Sequence, residues 1–157
     1  MTERTTHHLT FVIERTYNAS PERVFAAWAT LQAKARWFAG GEGWTEKVRE
    51  LDFRVGGHER LMGVWSGGPA SDFNATYQDI VPNQRIVYTY DMHLDQTQIS
   101  VSLATVEFKP AGAGTRLIFT EQAVFLDGYD KPEGREQGTR GLLNNLEAAL
   151  RREHAGA

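Results

Sequence analysis

DKPEGREQGTRGLLNNLEAALRRE, residues 130–153, carries the pattern that decides the fold. Laid on a helix at 100° per residue, Leu142, Leu143, Leu146, Ala149 and Leu150 fall on one stripe. Glu136, Arg140, Asn144, Glu147 and Arg151 fall opposite, as a solvated face does. Between them runs a third strip of Gly134, Gly138, Gly141 and Asn145. Glycine inside a helix costs about 1 kcal/mol relative to alanine, so three on one side require a reason. Two reasons are open: close packing against a sheet, or room for something else to lie on the helix. The pattern predicts a helix that plugs a curved sheet, with a cavity beside Gly134, Gly138 and Gly141.

The chain before this helix supplies the sheet. Residues 9–17 alternate, with Leu9, Phe11, Ile13 and Tyr17 on one parity. Ser20, Pro21 and Glu22 read as a helix cap, a proline at the first helical position and an acid near the positive helix end. Val24, Phe25, Ala27 and Trp28 form the buried side of that helix, and a second short helix is expected over 31–38. The period then changes to two. Strands are expected at 44–53, at 58–65 and around Phe73, Ala75 and Tyr77. Ile86, Tyr88, Tyr90, Met92 and Leu94 give the cleanest alternation in the chain. Ile99, Val101 and Leu103 continue it, and a phase slip over 104–108 suggests a β-bulge there. Leu117, Phe119, Glu121, Ala123 and Phe125 form the last strand. Short turns connect all of these, so the strands should form an antiparallel meander. The expected fold class is α+β: about seven strands in the order β-α-α-β6-α, wrapped around a long C-terminal helix. One domain over 1–157, ordered from about 8 to 153, is expected.

Bulk composition excludes several classes. Of the 157 residues, 41% are hydrophobic and 24% charged, ordinary for a globular domain. The net charge is −3, which gives no reason to expect nucleic acid or an anionic membrane as a partner. The chain has no cysteine, which removes disulfides, thiolate metal sites and a cysteine nucleophile, and fits a cytoplasmic location. The polar start MTERTTHHLT lacks the apolar core of a signal peptide, and no apolar run approaches the roughly 20 residues of a membrane span.

Several local motifs, in this order, resemble the START/Bet v 1-like (SRPBCC) superfamily with its helix-grip fold. They are ASPERVFAAW at 19–28, ARWF at 35–38, DFRVGG at 52–57, YQDIVPNQRI at 77–86, TVEF at 105–108 and GTRL at 114–117. Within the superfamily the chain is most similar to the family homologous to the C-terminal domain of the heat-shock-protein-90 ATPase activator. The resemblance implies a fold and a cavity more than a reaction. Members of the superfamily bind lipids, hormones and polyketides, and the polyketide cyclases do chemistry in the cavity. The eukaryotic activator has a separate N-terminal domain that engages the chaperone; these residues leave no room for it, which counts against a co-chaperone role. One departure concerns position 59. Relatives commonly place an aromatic two residues after the Gly-Gly turn, and this chain has Glu59.

Glu59 and Glu121 are the candidate catalytic pair. By parity Glu59 shares a face with Leu61 and Trp65, and Glu121 shares one with Phe119 and Phe125. A carboxylate facing an apolar cavity has its pKa raised, which suits it to proton transfer. Two other readings stay open: a salt bridge to Arg15 or Arg60, or a register that puts either residue in solvent. Leu61, Trp65, Phe73, Tyr77, Tyr88, Tyr90, Met92, Phe119 and Phe125 are candidate cavity wall, the tyrosines and tryptophan with polar handles for a ligand, or else plain core. Trp37 and Phe38, next to Gly40 and Gly41, could form a lid or simply pack on the sheet. His7, His8, His58, His93 and His154 show no spacing that would converge on a metal, and no cofactor is implied. Residues 40–43 lack the lysine of a phosphate loop, and Ser66 stands one place too late for a nucleophile elbow.

The expected function is binding of a small apolar or aromatic molecule between sheet and C-terminal helix. A cyclase- or hydrolase-type enzyme using Glu59 and Glu121 is the first alternative, and a chaperone-interaction module the second. A homodimer is compatible with the sequence, which has no feature that decides it.

Overall fold

A computed structural model describes residues 3–155. The outermost positions of the expected 1–157 domain, 1–2 and 156–157, lie outside the described residues. The elements run β1 (Thr6–Tyr17), α1 (Pro21–Ala29), α2 (Leu31–Ala35), β2 (Trp44–Leu51), β3 (His58–Trp65), β4 (Ala70–Val81), β5 (Arg85–Leu94), β6 (Thr97–Ala111), β7 (Gly114–Leu126) and α3 (Pro132–Ala155). The seven strands form one curved, open, antiparallel sheet in the order β1-β7-β6-β5-β4-β3-β2. This is the α+β helix-grip arrangement, with α3 lying in the grip of the sheet.

The meander follows from its turns. Asn83 and Asp95 take left-handed backbone conformations, φ 64° and 53°, at the two tight hairpins on either side of β5. Short polar side chains tolerate that region better than others. The first strand closes the order by pairing with the last, from Thr6 opposite Leu126 to Tyr17 opposite Thr115.

Three sequence expectations need correction. The second helix ends at Ala35, not at Phe38. Its last turn tightens instead, with the Trp37 and Phe38 amides both bonding to the Lys34 carbonyl at 3.2 and 2.8 Å. Residues 52 and 53 fall outside β2, which ends at Leu51. The bulge in β6 lies at Ile99, opposite the step between Met92 and His93, and not at 104–108. It turns both Ile99 and Ser100 inward, after which Ser102, Ala104, Val106 and Phe108 are the buried parity and Val101 is 40% exposed. A further bulge at Gln78 bends β4 against β5.

The core fills the space between the inner face of the sheet and the helices. On α3, Leu143, Leu146, Ala149 and Leu150 are buried there with Phe11, Ile13, Val106, Leu117 and Phe119. Tyr17 pins the helix to β1 by donating to the Leu143 carbonyl at 2.9 Å. Ser20 caps α1 by accepting from the Arg23 amide at 3.3 Å. That helix packs Phe25 edge-on against Phe108, with ring centroids 5.4 Å apart, and Trp28 against Trp37, 4.6 Å apart. Among the described residues no helix is long and apolar enough to cross a membrane.

Candidate functional site

A cavity of about 480 Å³ lies between the inner face of the sheet and α3. Strands β3, β4 and β5 contribute Leu61, Trp65, Phe73, Tyr88, Tyr90 and Met92 to its wall, and β7 contributes Phe119 and Glu121. Trp37, Phe38, Gly40 and Gly41 form the side nearest α2, and Gly134, Gly138 and Thr139 the side along α3. Exposed glycines on both sides, Gly40 and Gly41 against Gly134 and Gly138, mark where the cavity opens. A Cβ added at Gly134, Gly138 or Gly141 would meet nothing within 4 Å. These helix glycines therefore border open space rather than a tight helix–sheet contact, although Gly141 itself is not part of the lining.

One wall needs a glycine for a different reason. Trp44, on β2, lays its indole across β3 where Gly63 stands, and a side chain at Gly63 would run into that ring. The indole N–H then donates to Ser71 Oγ at 3.1 Å. All four tryptophans of the chain, Trp28, Trp37, Trp44 and Trp65, line the cavity.

The two carboxylates proposed as a pair are held in separate clusters. Glu59, 4% exposed, is not part of the lining. Its Oε1 accepts from Lys34 Nζ at 2.6 Å and from the Tyr77 hydroxyl at 2.6 Å. Lys34 is itself 1% exposed, with its ammonium 4.5 Å from the centroid of the Phe38 ring. Burial pushes the Lys34 ammonium below its ordinary value, and Glu59 opposes that shift. Burial, then the neighbouring Glu59 carboxylate, raises the Tyr77 hydroxyl far above the usual tyrosine range. The open alternative of an ion pair holds for Glu59 with a different partner, Lys34 rather than Arg15 or Arg60; Arg60 pairs with Asp72 at 3.0 Å. Tyr77 and Phe125, also expected in the wall, lie behind it in the core.

Glu121 does reach the cavity. Its Oε2 accepts from the Tyr90 hydroxyl at 2.7 Å and from Ser102 Oγ at 2.9 Å. Arg135, from the first turn of α3, approaches the same oxygen with Nη1 at 3.6 Å. The guanidinium also donates to the Tyr90 hydroxyl at 3.0 Å, to Ser100 Oγ at 2.8 Å and to Asp130 Oδ2 at 3.0 Å. Burial raises the Glu121 carboxyl above its ordinary 4.5, although Tyr90, Arg135 and Ser102 all pull it down. Desolvation costs this carboxylate more than an arginine 3.6 Å away returns. On Arg135, burial works against the charge, but Tyr90, Glu121 and Asp130 outweigh it and raise the pKa. The site is thus a largely apolar chamber with one charged cluster, and Glu121 there can hold or exchange a proton.

Lys34, Ser100, Ser102, Asp130 and Arg135 were not among the sequence candidates. A signal for two of them existed. Lys34 lies three residues after Leu31 and three before Trp37, on the buried side of α2. Arg135 heads the line Thr139, Leu142, Leu146 at i+4, i+7 and i+11, next to the leucine stripe rather than opposite it. Among the described residues no group of three or more His, Asp or Glu could hold a metal ion.

Comparison with known proteins sets this geometry in a family. A search of curated proteins found no match. The chain is 48% identical to an uncharacterised protein of Rhizobium leguminosarum whose structure superposes with a TM-score of 0.92, covering 96% of this chain and 99% of that one. It is 49% identical to a protein of Rhizobium loti, with a TM-score of 0.86 and coverage of 92% and 99%. An AHSA1-like protein of Aeromonas hydrophila shares the fold at 22% identity and a TM-score of 0.67, over 94% of both chains. The model of the family described as activator of Hsp90 ATPase homolog 1-like protein matches residues 18–151. The chain belongs to that family.

Proposed function

We propose that the protein binds a small apolar or aromatic molecule in the chamber between sheet and α3, in the reducing cytoplasm that a cysteine-free chain fits. The observation that carries this reading is the 480 Å³ space itself, walled by four indoles and by Leu61, Phe73 and Phe119, with its charged groups Glu121, Arg135 and Asp130 in one cluster. Ligand sites fall in the range of roughly 300–1,000 Å³ and combine apolar walls with a few placed polar groups. The helix glycines support it further, because the stability they forgo keeps one side of the chamber open. Titration with the neutral probe N-phenyl-1-naphthylamine tests it. Saturable one-to-one fluorescence enhancement, reversed by apolar competitors, is expected. No saturable signal contradicts the reading.

One observation favours a second reading, acid–base chemistry on the bound molecule. Glu121 has a raised pKa and lines the chamber, the placement a general acid or base requires. Glu59 takes no part in it, being bonded to Lys34 and Tyr77. Hydrolysis of 4-nitrophenyl hexanoate above the buffer rate, removed by Glu121→Gln, supports this reading. A rate no higher than buffer, or one unchanged in Glu121→Gln, contradicts it.

A further inference from the structure

The chamber's charged residues constrain the polar end of its ligand. Only three charged side chains line it among the described residues: Glu121, Asp130 and Arg135. Two are acidic, so the lining is acidic whenever Glu121 is ionised. Both terminal nitrogens of Arg135 are already engaged, Nη1 by the Tyr90 hydroxyl and Nη2 by Ser100 and Asp130. Its charge is shared with both carboxylates, Asp130 at 3.0 Å and Glu121 at 3.6 Å. Two other cations with buried side chains sit outside the lining, Lys34 matched by Glu59 and Arg49 matched by Glu46. With two carboxylates against the one charge of Arg135, the lining holds no net positive charge to receive an anionic head group.

Glu121 presents the opposite situation. Both of its hydrogen bonds fall on Oε2, and Oε1 has no donor among the described residues. A carboxylate oxygen has room for further donors, and the aromatic rings of Tyr88, Tyr90, Phe38 and Phe73 around the chamber favour a cation over an anion. We infer that the chamber takes an apolar molecule whose polar group is a hydrogen-bond donor, a hydroxyl or an amine, and selects against a carboxylate head. Selectivity of this kind rests on the repulsive element as much as the attractive one: a carboxylate placed beside Asp130 and an ionised Glu121 meets like charge where water screens little.

The inference rests on the proposed binding function, and one competition series separates the two. Decan-1-ol, decylamine and sodium decanoate, which share one chain, are titrated against bound N-phenyl-1-naphthylamine at neutral pH. Decanol and decylamine are expected to displace the probe at concentrations at least about tenfold below decanoate, a gap of about 1.4 kcal/mol. In Glu121→Gln the gap between decylamine and decanoate is expected to narrow by about tenfold, because the amide keeps the shape and removes the charge. Decanoate competing as well as decanol in the wild-type protein overturns the inference, as does an unchanged gap in Glu121→Gln. Probe binding that none of the three displaces overturns it while leaving the binding function standing. Failure of the probe itself to bind overturns both.

Discussion

Lys34 Nζ lies 2.6 Å from Glu59 Oε1, and each side chain is almost wholly sealed from water. This pair fastens α2, a helix of five residues, to the sheet under one wall of the chamber. Removing one partner of a buried ion pair leaves an uncompensated charge and costs about 3–5 kcal/mol, whereas replacing both with apolar residues is often nearly neutral. Lys34→Met is therefore expected to lower unfolding free energy by an amount in that range, and the double variant Lys34→Met with Glu59→Leu to recover most of it. Urea unfolding of the three proteins measures this. A cost below about 1 kcal/mol for Lys34→Met would show that the pair holds nothing in place.

Glu121 makes stability depend on pH in a direction that can be stated in advance. Its carboxyl in the fold titrates above its ordinary 4.5 because it is buried. Between those two values the folded state holds more protons than the unfolded state, so stability falls as pH rises through the folded pKa. Its contribution is fully present below the unfolded value. The thermal midpoint of the wild-type protein relative to Glu121→Gln should thus be most favourable near pH 4 and decline toward pH 8. A difference that stays flat, or grows with pH, would falsify the assignment.

The helix glycines predict a separation of stability from binding. Gly138 lines the chamber, and a Cβ built on it meets nothing within 4 Å. Gly138→Ala is expected to raise unfolding free energy by about 1 kcal/mol through helix propensity alone. Gly138→Phe should be no less stable than the wild type, yet bind N-phenyl-1-naphthylamine at least about tenfold more weakly, because its ring occupies the entrance. Equal affinities in Gly138→Phe and wild type would show that ligands do not enter along this face.

The sequence carried the fold more completely than it carried the site. The leucines of α3, the alternation of Ile86, Tyr88 and Tyr90 and the tight turns at Asn83 and Asp95 are local signals, and local signals suffice for a meander closed by one helix. The site depends on pairs distant in sequence. Lys34 meets Glu59 across 25 positions, and no short-range periodicity encodes which cation pairs with which acid. Strand β6 misled for a related reason. Its inward positions Ser100 and Ser102 are polar because they serve Arg135 and Glu121, so Ile99, Val101 and Leu103 looked like the buried face. Parity reports burial only where the buried face is apolar, and a polar pocket breaks that rule at the point where function is sought.

Binding inside the chamber is tested most directly with the four indoles that line it. Their N–H signals can be followed by proton–nitrogen NMR while N-phenyl-1-naphthylamine is added. Indole signals are expected to shift together and saturate at one probe per chain, because the probe lies among Trp28, Trp37, Trp44 and Trp65. Indole signals that stay in place at saturating probe would contradict it.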